Sequence, residues 1–141
     1  MPGSDPFQHF IDAQESVYPQ VVRELQAGRK RSHWMWFIFP QLQGLGSSSM
    51  ARRYALASRA EAEAYAAHPV LGPRLREGVA LVLAVEGRTA HEIFGSPDDL
   101  KFRSCLTLFE AACPREPLFA RGLERYYGGE RDPSTQRLLA D

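Results

Sequence analysis

The chain has few cysteines, no excess of either charge and no long apolar segment. Its two cysteines, Cys105 and Cys113, would lie about 12 Å apart on one helix, whereas a disulfide requires Cα atoms within about 7 Å. We therefore expect reduced thiols and a cytoplasmic location. The longest apolar run, residues 34–39, is too short for a membrane helix, which needs about 20 residues. The first residues lack the basic and apolar regions of a secretory signal.

The short motifs that mark nucleotide, metal and nucleophile sites are also missing. The sequence contains no Gly-x-Gly-x-x-Gly pattern, no P-loop and no nucleophile elbow. The four histidines share no metal-type spacing and there is no Cys-x-x-Cys, so we expect no metal and no cofactor. Basic and acidic residues number 17 each, so no overall field attracts nucleic acid or an anionic membrane. Any anion-binding site must come from a local cluster.

Helix signals dominate what the sequence does contain. At 141 residues, the chain is long enough to bury a core without metals or disulfides. Apolar residues recur at helical spacing, and no alternating pattern is long enough to require a sheet. We predict one all-α domain over residues 1–141, built from seven to nine short helices. Capping residues or helix-starting prolines occur at Ser4-Asp5-Pro6, Pro19, Ser32, Ser58-Arg59-Ala60-Glu61, Thr89-Ala90-His91-Glu92, Ser96-Pro97, Pro117 and Asp132-Pro133.

One segment, residues 28–41, combines both tryptophans with basic and polar residues. Ser32 is predicted to cap a short helix that runs to Phe39 and ends before Pro40. Because this helix would be apolar on every side, the rest of the protein must enclose it. A structural interpretation is that it forms the centre of the core, since aromatic side chains contribute most to burial.

The functional interpretation of this segment rests on its polar residues. A cation, a hydroxyl, an imidazole and an amide beside flat aromatic rings can bind a phosphate and a stacked ring together. The histidine is the residue here that exchanges protons near neutral pH. Candidate ligand-binding residues are Lys30, Ser32, Trp34, Trp36 and Gln41, and the candidate catalytic residue is His33.

A second segment, residues 96–109, adds further candidates. Lys101, Ser104 and Thr107 are candidate ligand-binding residues, and Asp99 is a candidate catalytic partner of His33. A structural interpretation is again available: Asp99 with Arg103, or Asp98 with Lys101, would form surface ion pairs on a helix. In the same interpretation, the two hydroxyls would bond to carbonyls one turn earlier in the helix.

The run Lys30-x-Ser32-His33-Trp34-Met35-Trp36-Phe37-Ile38-Phe39-Pro40-Gln41, followed by Gly44-Leu45-Gly46, closely resembles a bacterial family catalogued as a domain of unknown function. Some of its members carry the label "calpastatin", from which we infer no activity. The likeness extends over nearly the whole chain, through Asp5-Pro6-Phe7, Ala13-Gln14, Tyr18, Tyr54, Glu61, Tyr65, His68-Pro69, Leu71-Gly72, Ile93-Phe94-Gly95, Asp99-x-Lys101 and Thr107-Leu108-Phe109.

The resemblance implies an all-helical fold with no accepted biochemical role. Because the family pattern includes both segments, it also implies that they form one site, without indicating the ligand. This chain departs from the pattern at Cys105 and Leu106, where the family commonly has Ser-Met. A nucleophilic thiol should not be replaceable by a hydroxyl, so the resemblance argues against Cys105 as a nucleophile.

Three function classes stay open from the sequence. The first is a pocket that binds an anionic small molecule of nucleotide or ADP-ribose type. Such a pocket would belong either to a binding protein or to an enzyme. The two candidate lysines would hold the anion, either indole would stack on a ring, and His33 with Asp99 would supply acid–base chemistry. This hypothesis predicts that the two segments meet in a concave site.

The second hypothesis is a protein-interaction module that uses the aromatic segment or the Tyr126-Tyr127 region, and it predicts a contiguous exposed apolar patch. The third is nucleic-acid binding through residues 29–31 together with stacking aromatics. Zero net charge places it last. We expect no membrane partner.

Overall fold

Local capping residues determine where three of the helices begin, and one of them is Ser48, whose hydroxyl accepts from the N–H of Ala51. The computed structural model describes residues 5–140. The hydroxyl of Ser58 accepts a hydrogen bond from the N–H of Glu61, and the hydroxyl of Thr89 accepts one from the N–H of Glu92, both at 3.1 Å. The Glu92 carboxylate in turn accepts from the N–H of Thr89 at 2.8 Å and completes a capping box. In the predicted Ser4-Asp5-Pro6 start, Ser4 lies outside the described residues, and Oδ1 of Asp5 accepts from the N–H of Phe7 at 2.8 Å, just before the first helix begins at Gln8.

Residues 5–140 contain ten helices, and the predicted all-α class is confirmed. They are α1 (Gln8–Glu15), α2 (Tyr18–Gln26), α3 (Met35–Ile38), α4 (Ser49–Arg53), α5 (Arg59–Ala67), α6 (Leu71–Leu83), α7 (Ala90–Phe94), α8 (Asp98–Ala112), α9 (Pro117–Tyr127) and α10 (Pro133–Ala140). The number exceeds the predicted seven to nine because α3, α4 and α7 are separate helices of only four or five residues.

The predicted cap at Ser32 is wrong. The helix of this segment begins only at Met35, and residues 29–34 form an irregular loop. The Ser32 hydroxyl donates to Glu24 at 2.6 Å instead of accepting from the backbone. The hydroxyl is therefore taken by a side chain of α2, a partner that local sequence spacing does not reveal.

α8 lies at the centre of one hydrophobic core and packs against α5, α7, α9 and α10. Phe102, Leu106 and Phe109 on this helix are fully buried. Gly122 lets α9 approach closely, since a Cβ atom there would lie 3.0 Å from Cδ1 of Leu106. The described residues thus form a single compact domain, while the limits 1–141 stay a prediction.

The sequence also led to expectations about strands, cysteines and membrane helices, which can be compared with the structure. The described part of the chain contains no extended strand but does contain one isolated parallel bridge between Leu42 and Leu56. Both cysteines are free: Cys105 is buried, and Cys113 is half-buried just after α8. Among the ten helices, none has the length and apolar character needed to cross a bilayer.

Candidate functional site

The two segments singled out in the sequence meet at Asp98, in the first turn of α8. Nζ of Lys30 lies 2.9 Å from Oδ2 of this carboxylate, and Nζ of Lys101 lies 3.7 Å from Oδ1. The Lys30 side chain is only 7% exposed, compared with 26% for Lys101 and 20% for Asp98. We call these three residues the lysine–aspartate cluster. Asp98 was not among the candidate residues, although it stands beside Asp99 in the sequence.

Lys30 is held from several directions. Its backbone N–H donates to the carbonyl of Ile93 at 2.7 Å, which ties the loop to α7. Its ammonium donates to the carbonyl of Ser32 at 2.6 Å and lies 5.1 Å from the ring centroid of Trp34. Burial of an ammonium group is costly unless it is paired, and here the carboxylate, the carbonyl and the ring together provide that compensation. Lys30 is therefore fixed in place.

Glu24, a buried residue of α2, organises the loop that carries Lys30. Its Oε1 accepts from the backbone N–H groups of Arg31 and Ser32 at 2.7 and 3.0 Å, and its Oε2 accepts from the Ser32 hydroxyl. Further hydrogen bonds come from Nε1 of Trp34 at 2.9 Å and Nε2 of Gln20 at 2.8 Å.

The protonation of Glu24 follows from these contacts. Desolvation raises the pKa of its carboxyl, but the hydrogen bonds from Ser32, the Arg31 N–H and Gln20 outweigh it and lower the pKa to about 2. Glu24 is thus a carboxylate at neutral pH. Sequence reasoning missed this residue, but a signal was present: Glu24 lies on the same helical face as the buried Val21 and Leu25. An acid on an apolar face needs a buried partner.

The two tryptophans differ in what they can contact. Trp34 is 1% exposed and donates to Glu24, so it cannot stack on a ligand at the surface. Trp36 is half-buried, and Nζ of Lys101 lies 5.4 Å from its ring centroid. Of the two candidate indoles, Trp36 is the one that is partly exposed, and it lies beside a cation.

No hydrogen bond or ion pair joins His33 to Asp99 within residues 5–140. His33 is exposed, while the Asp99 carboxylate pairs with His91 of α7, with Oδ2 3.4 Å from Nδ1. Oδ1 of Asp99 accepts from the N–H of Leu100 at 2.9 Å. The sequence suggested His33 because of its position in the aromatic segment, but the approach of α7 to the start of α8 brings His91 to Asp99 instead.

Ser104 and Thr107 face α10. Their hydroxyls donate to carbonyls one turn earlier, Ser104 to Leu100 at 3.1 Å and Thr107 to Arg103 at 2.8 Å. This is the back-bonded arrangement of the structural interpretation. Oδ2 of Asp132 lies 3.1 Å from the Ser104 oxygen and shares its one hydroxyl proton with the Leu100 carbonyl, and the N–H of Asp132 donates to Thr107. Both hydroxyls are therefore used in joining α8 to the start of α10.

Two further candidates contribute little to the cluster. Gln41 is half-buried, and its backbone carbonyl accepts from the N–H of Leu56 beside the isolated bridge. Cys105 is enclosed in the core, and its burial raises the pKa of the thiol, so a nucleophilic thiolate is disfavoured. Residues 5–140 contain no group of three His, Cys, Asp or Glu side chains that would hold a metal ion.

Two cavities of the described structure are lined by residues outside the lysine–aspartate cluster. One of about 500 Å³ lies beside Arg76, Cys113 and Pro117. Another, of about 390 Å³, lies between Gln43, the start of α5 and Leu138 of α10. The lysine–aspartate cluster instead lies at a surface edge, where Lys101 and Trp36 are partly exposed. A ligand there would rest against the protein rather than inside an enclosed cavity.

The described chain is an all-helical domain. In it, the lysine–aspartate cluster and the ring of Trp36 connect two segments that are distant in the sequence. The chain belongs to the family described as "Protein of unknown function (DUF1810)", whose model matches residues 4–139. The signature run and the "calpastatin" label are not part of this finding.

A solved structure is similar over almost the whole chain. It is the crystal structure of the conserved hypothetical protein Rv1873 from Mycobacterium tuberculosis, which is 55% identical to this chain. The match covers 97% of this chain and 99% of that protein, with a TM-score of 0.95. No curated protein matches the chain. The chain's family and fold are therefore established, and neither the family's description nor the name of the similar protein states an activity.

Proposed function

We propose that the protein binds a small anionic molecule, of nucleotide or ADP-ribose type, at the lysine–aspartate cluster. The observation that carries the proposal is the convergence of two lysines, from separate segments, on one carboxylate beside the half-buried ring of Trp36. An ammonium group next to an aromatic face suits a ligand with both an anion and a flat ring.

The two lysines have different roles in this proposal. Lys30 is buried and already bonded, so it supplies a fixed positive charge behind the site. Lys101 is the group that would contact the anion. Its 3.7 Å separation from Asp98 is longer than a hydrogen bond, and no hydrogen bond from its ammonium is found within residues 5–140. Its donors are thus available to a ligand without loss of an existing bond.

Rigidity of the surrounding loop also supports binding. The hydrogen bonds of Glu24 hold residues 31, 32 and 34 in a single arrangement before any ligand arrives. A site that is ordered in advance loses less conformational entropy on binding. The neutral overall charge does not oppose the proposal, because the lysines form a local cluster.

The other function classes have less support. A protein-interaction module needs a contiguous apolar patch, yet in the described structure Leu100, at 51%, is the one large hydrophobic residue that is exposed. Nucleic-acid binding would need a strong basic surface, which zero net charge does not favour. A reaction is not part of the proposal, because Asp99 is paired with His91 and not with His33. The free cysteines are consistent with a proposed cytoplasmic location.

A thermal-shift screen tests the proposal. The panel contains nucleotides, dinucleotides, ADP-ribose, sugar phosphates and inorganic phosphate. A ligand at 100 times its Kd stabilises a protein by about 2.7 kcal/mol, which raises Tm by several degrees. We expect such a shift with at least one organic phosphate, and we expect Lys101→Gln and Trp36→Leu to abolish it.

The matched control is Arg52→Gln, which removes one positive charge from an exposed position on α4. It should leave the shift unchanged. If no compound shifts the Tm, or if Lys101→Gln and Arg52→Gln behave alike, the proposal is wrong.

A further inference from the structure

The charges around the lysine–aspartate cluster are balanced. Lys30 and Lys101 carry two positive charges, and Asp98 and Asp99 carry two negative charges in the same first turn of α8. A site for a simple polyanion would hold cations without carboxylates beside them, because a carboxylate repels the anion and weakens its binding. One oxygen of Asp98 neutralises buried Lys30, so the second oxygen, which faces Lys101, is the part of this carboxylate that is left for a ligand.

The two oxygens of Asp98 are used unequally. Oδ2 forms a close ion pair with buried Lys30 at 2.9 Å. Oδ1 faces the ammonium of Lys101 at 3.7 Å, beyond hydrogen-bond range, and accepts no hydrogen bond from the described residues. An ionised carboxylate oxygen accepts up to two hydrogen bonds. Oδ1 is thus an acceptor with unused capacity, on a side chain that is 20% exposed.

Unused donors of Lys101 and an unused acceptor of Asp98 lie side by side. Inorganic phosphate at neutral pH chiefly accepts hydrogen bonds and satisfies only the donors. A sugar hydroxyl both donates and accepts, so it can donate to the carboxylate while a neighbouring oxygen accepts from the ammonium. Adjacent hydroxyls on one sugar ring present donors to a carboxylate with little loss of freedom, as in dinucleotide sites where an acid binds the ribose.

We infer that Asp98 is a specificity-determining residue that accepts a hydrogen bond from a sugar hydroxyl of the ligand, so that the site takes a phosphorylated sugar or nucleotide with a vicinal diol and rejects inorganic phosphates. This inference rests on the proposed function of the same site. Lys101 contacts the phosphate, Asp98 contacts the diol, and Trp36 covers the ring. Lys30 holds the Asp98 carboxylate in its orientation.

Isothermal titration of the full chain with four probes tests the inference. The probes are adenosine 5′-monophosphate, its 2′,3′-dideoxy analogue, adenosine and inorganic tripolyphosphate. Loss of a hydrogen bond to a charged group weakens binding by about tenfold or more. We expect the monophosphate to bind at least about tenfold more tightly than the dideoxy analogue and tripolyphosphate, on the same grounds.

The variant Asp98→Asn adds a second readout. We expect it to bring the affinities of the monophosphate and the dideoxy analogue close together, whereas Glu86→Gln, at an exposed position, should preserve the difference between them. The comparison of probes on the unaltered protein is decisive even if Asp98→Asn folds poorly. If the dideoxy analogue and tripolyphosphate bind as tightly as the monophosphate, this inference is wrong while the proposed function stands. If no probe binds, this inference is wrong, and the thermal-shift screen with ADP-ribose and dinucleotides decides whether the proposed function is wrong as well.

Discussion

The ammonium of Lys30 lies 2.9 Å from the carboxylate of Asp98, and this contact joins the aromatic segment to the first turn of α8. Lys30 lies in the loop after α2 and Asp98 lies at the start of α8, so the two residues are far apart in the sequence. The pair has a structural effect, because it neutralises a buried cation, and it also places Lys101 and Trp36 at one edge. These two effects can be measured separately.

A double-mutant cycle with Lys30→Met and Asp98→Asn measures the structural effect. Because the pair is largely buried, we expect a coupling free energy of about 1–3 kcal/mol in urea unfolding. The cycle for Lys101→Met with Asp98→Asn is the matched comparison. Its coupling should be below about 0.5 kcal/mol, since that pair is more exposed and more distant. Equal coupling in the two cycles would contradict the assigned roles.

Acid should weaken the protein through Glu24. The pKa of this carboxyl is lowered to about 2 in the folded chain, below the value of about 4.3 for an unfolded glutamate. Its stabilising contribution is therefore complete above about pH 4.3 and is lost as the pH falls towards 2. We expect Glu24→Gln to lower the free energy of unfolding at pH 7 by about 2–3 kcal/mol.

The same variant should lose less stability between pH 5 and pH 2.5 than the unaltered protein, as measured by urea unfolding at each pH. Glu63→Gln, at an exposed position on α5, is the control and should keep the original pH profile. Parallel profiles for Glu24→Gln and the unaltered chain would show that Glu24 is not the titrating group.

His68 connects the N-terminal segment to the start of α6. Its Nε2 lies 2.7 Å from Oδ2 of Asp5, and its Nδ1 accepts from the N–H groups of Val70 and Leu71 at 3.0 and 3.2 Å. The hydrogen bond with His68, together with the N–H of Phe7, holds the pKa of Asp5 below its ordinary value.

His68→Leu removes the three contacts made by the imidazole ring, whereas His68→Asn keeps a short acceptor for the N–H groups of residues 70 and 71. Loss of a capping acceptor costs about 1 kcal/mol. We expect amide hydrogen exchange at residues 70 and 71 to become faster in His68→Leu than in His68→Asn. Identical exchange in the two variants would mean that the ring nitrogen does not cap α6.

Asp132 holds α10 against α8. Its Oδ2 accepts from the hydroxyl of Ser104 at 3.1 Å and from the hydroxyl and N–H of Thr135 at 2.6 and 3.0 Å. We expect Asp132→Ala to lower the free energy of unfolding by about 2–3 kcal/mol, because it leaves the buried hydroxyl and N–H of Thr135 without an acceptor. Limited proteolysis should then cut within α10.

The neighbouring variant Glu130→Ala, at an exposed position, should change stability by less than about 0.5 kcal/mol. If Asp132→Ala is as stable and as resistant to protease as Glu130→Ala, the network does not hold the C-terminal helix in place.

Helices could be predicted because their signals are local. The Thr89 capping box and the burial of α8 both follow from spacing within a few residues. The cap assigned to Ser32 failed because Glu24, from another helix, competes for its hydroxyl. Local pattern cannot reveal such a partner.

The site was predicted in part for the same reason. Both segments were recognised, and Lys30, Lys101 and Trp36 lie together. Ser104 and Thr107 face α10 instead, because their positions on α8 turn them away from the lysines' partner Asp98. Asp98 was predicted only as an ion-pair partner of Lys101, and that pair is present at 3.7 Å. Its contact with Lys30 depends on the packing of the loop against α8, which local spacing does not reveal.

The most direct test of the proposed binding site uses the two tryptophans as reporters within one molecule. In ¹⁵N-labelled protein each indole N–H gives one resonance, and Trp34 is buried on Glu24 while Trp36 lies beside Lys101. Titration with ADP-ribose or adenosine 5′-monophosphate should move the Trp36 resonance in a saturable manner and leave that of Trp34 nearly unchanged. The shift should disappear in Lys101→Gln. Absence of any saturable change at Trp36 with either compound would contradict the account.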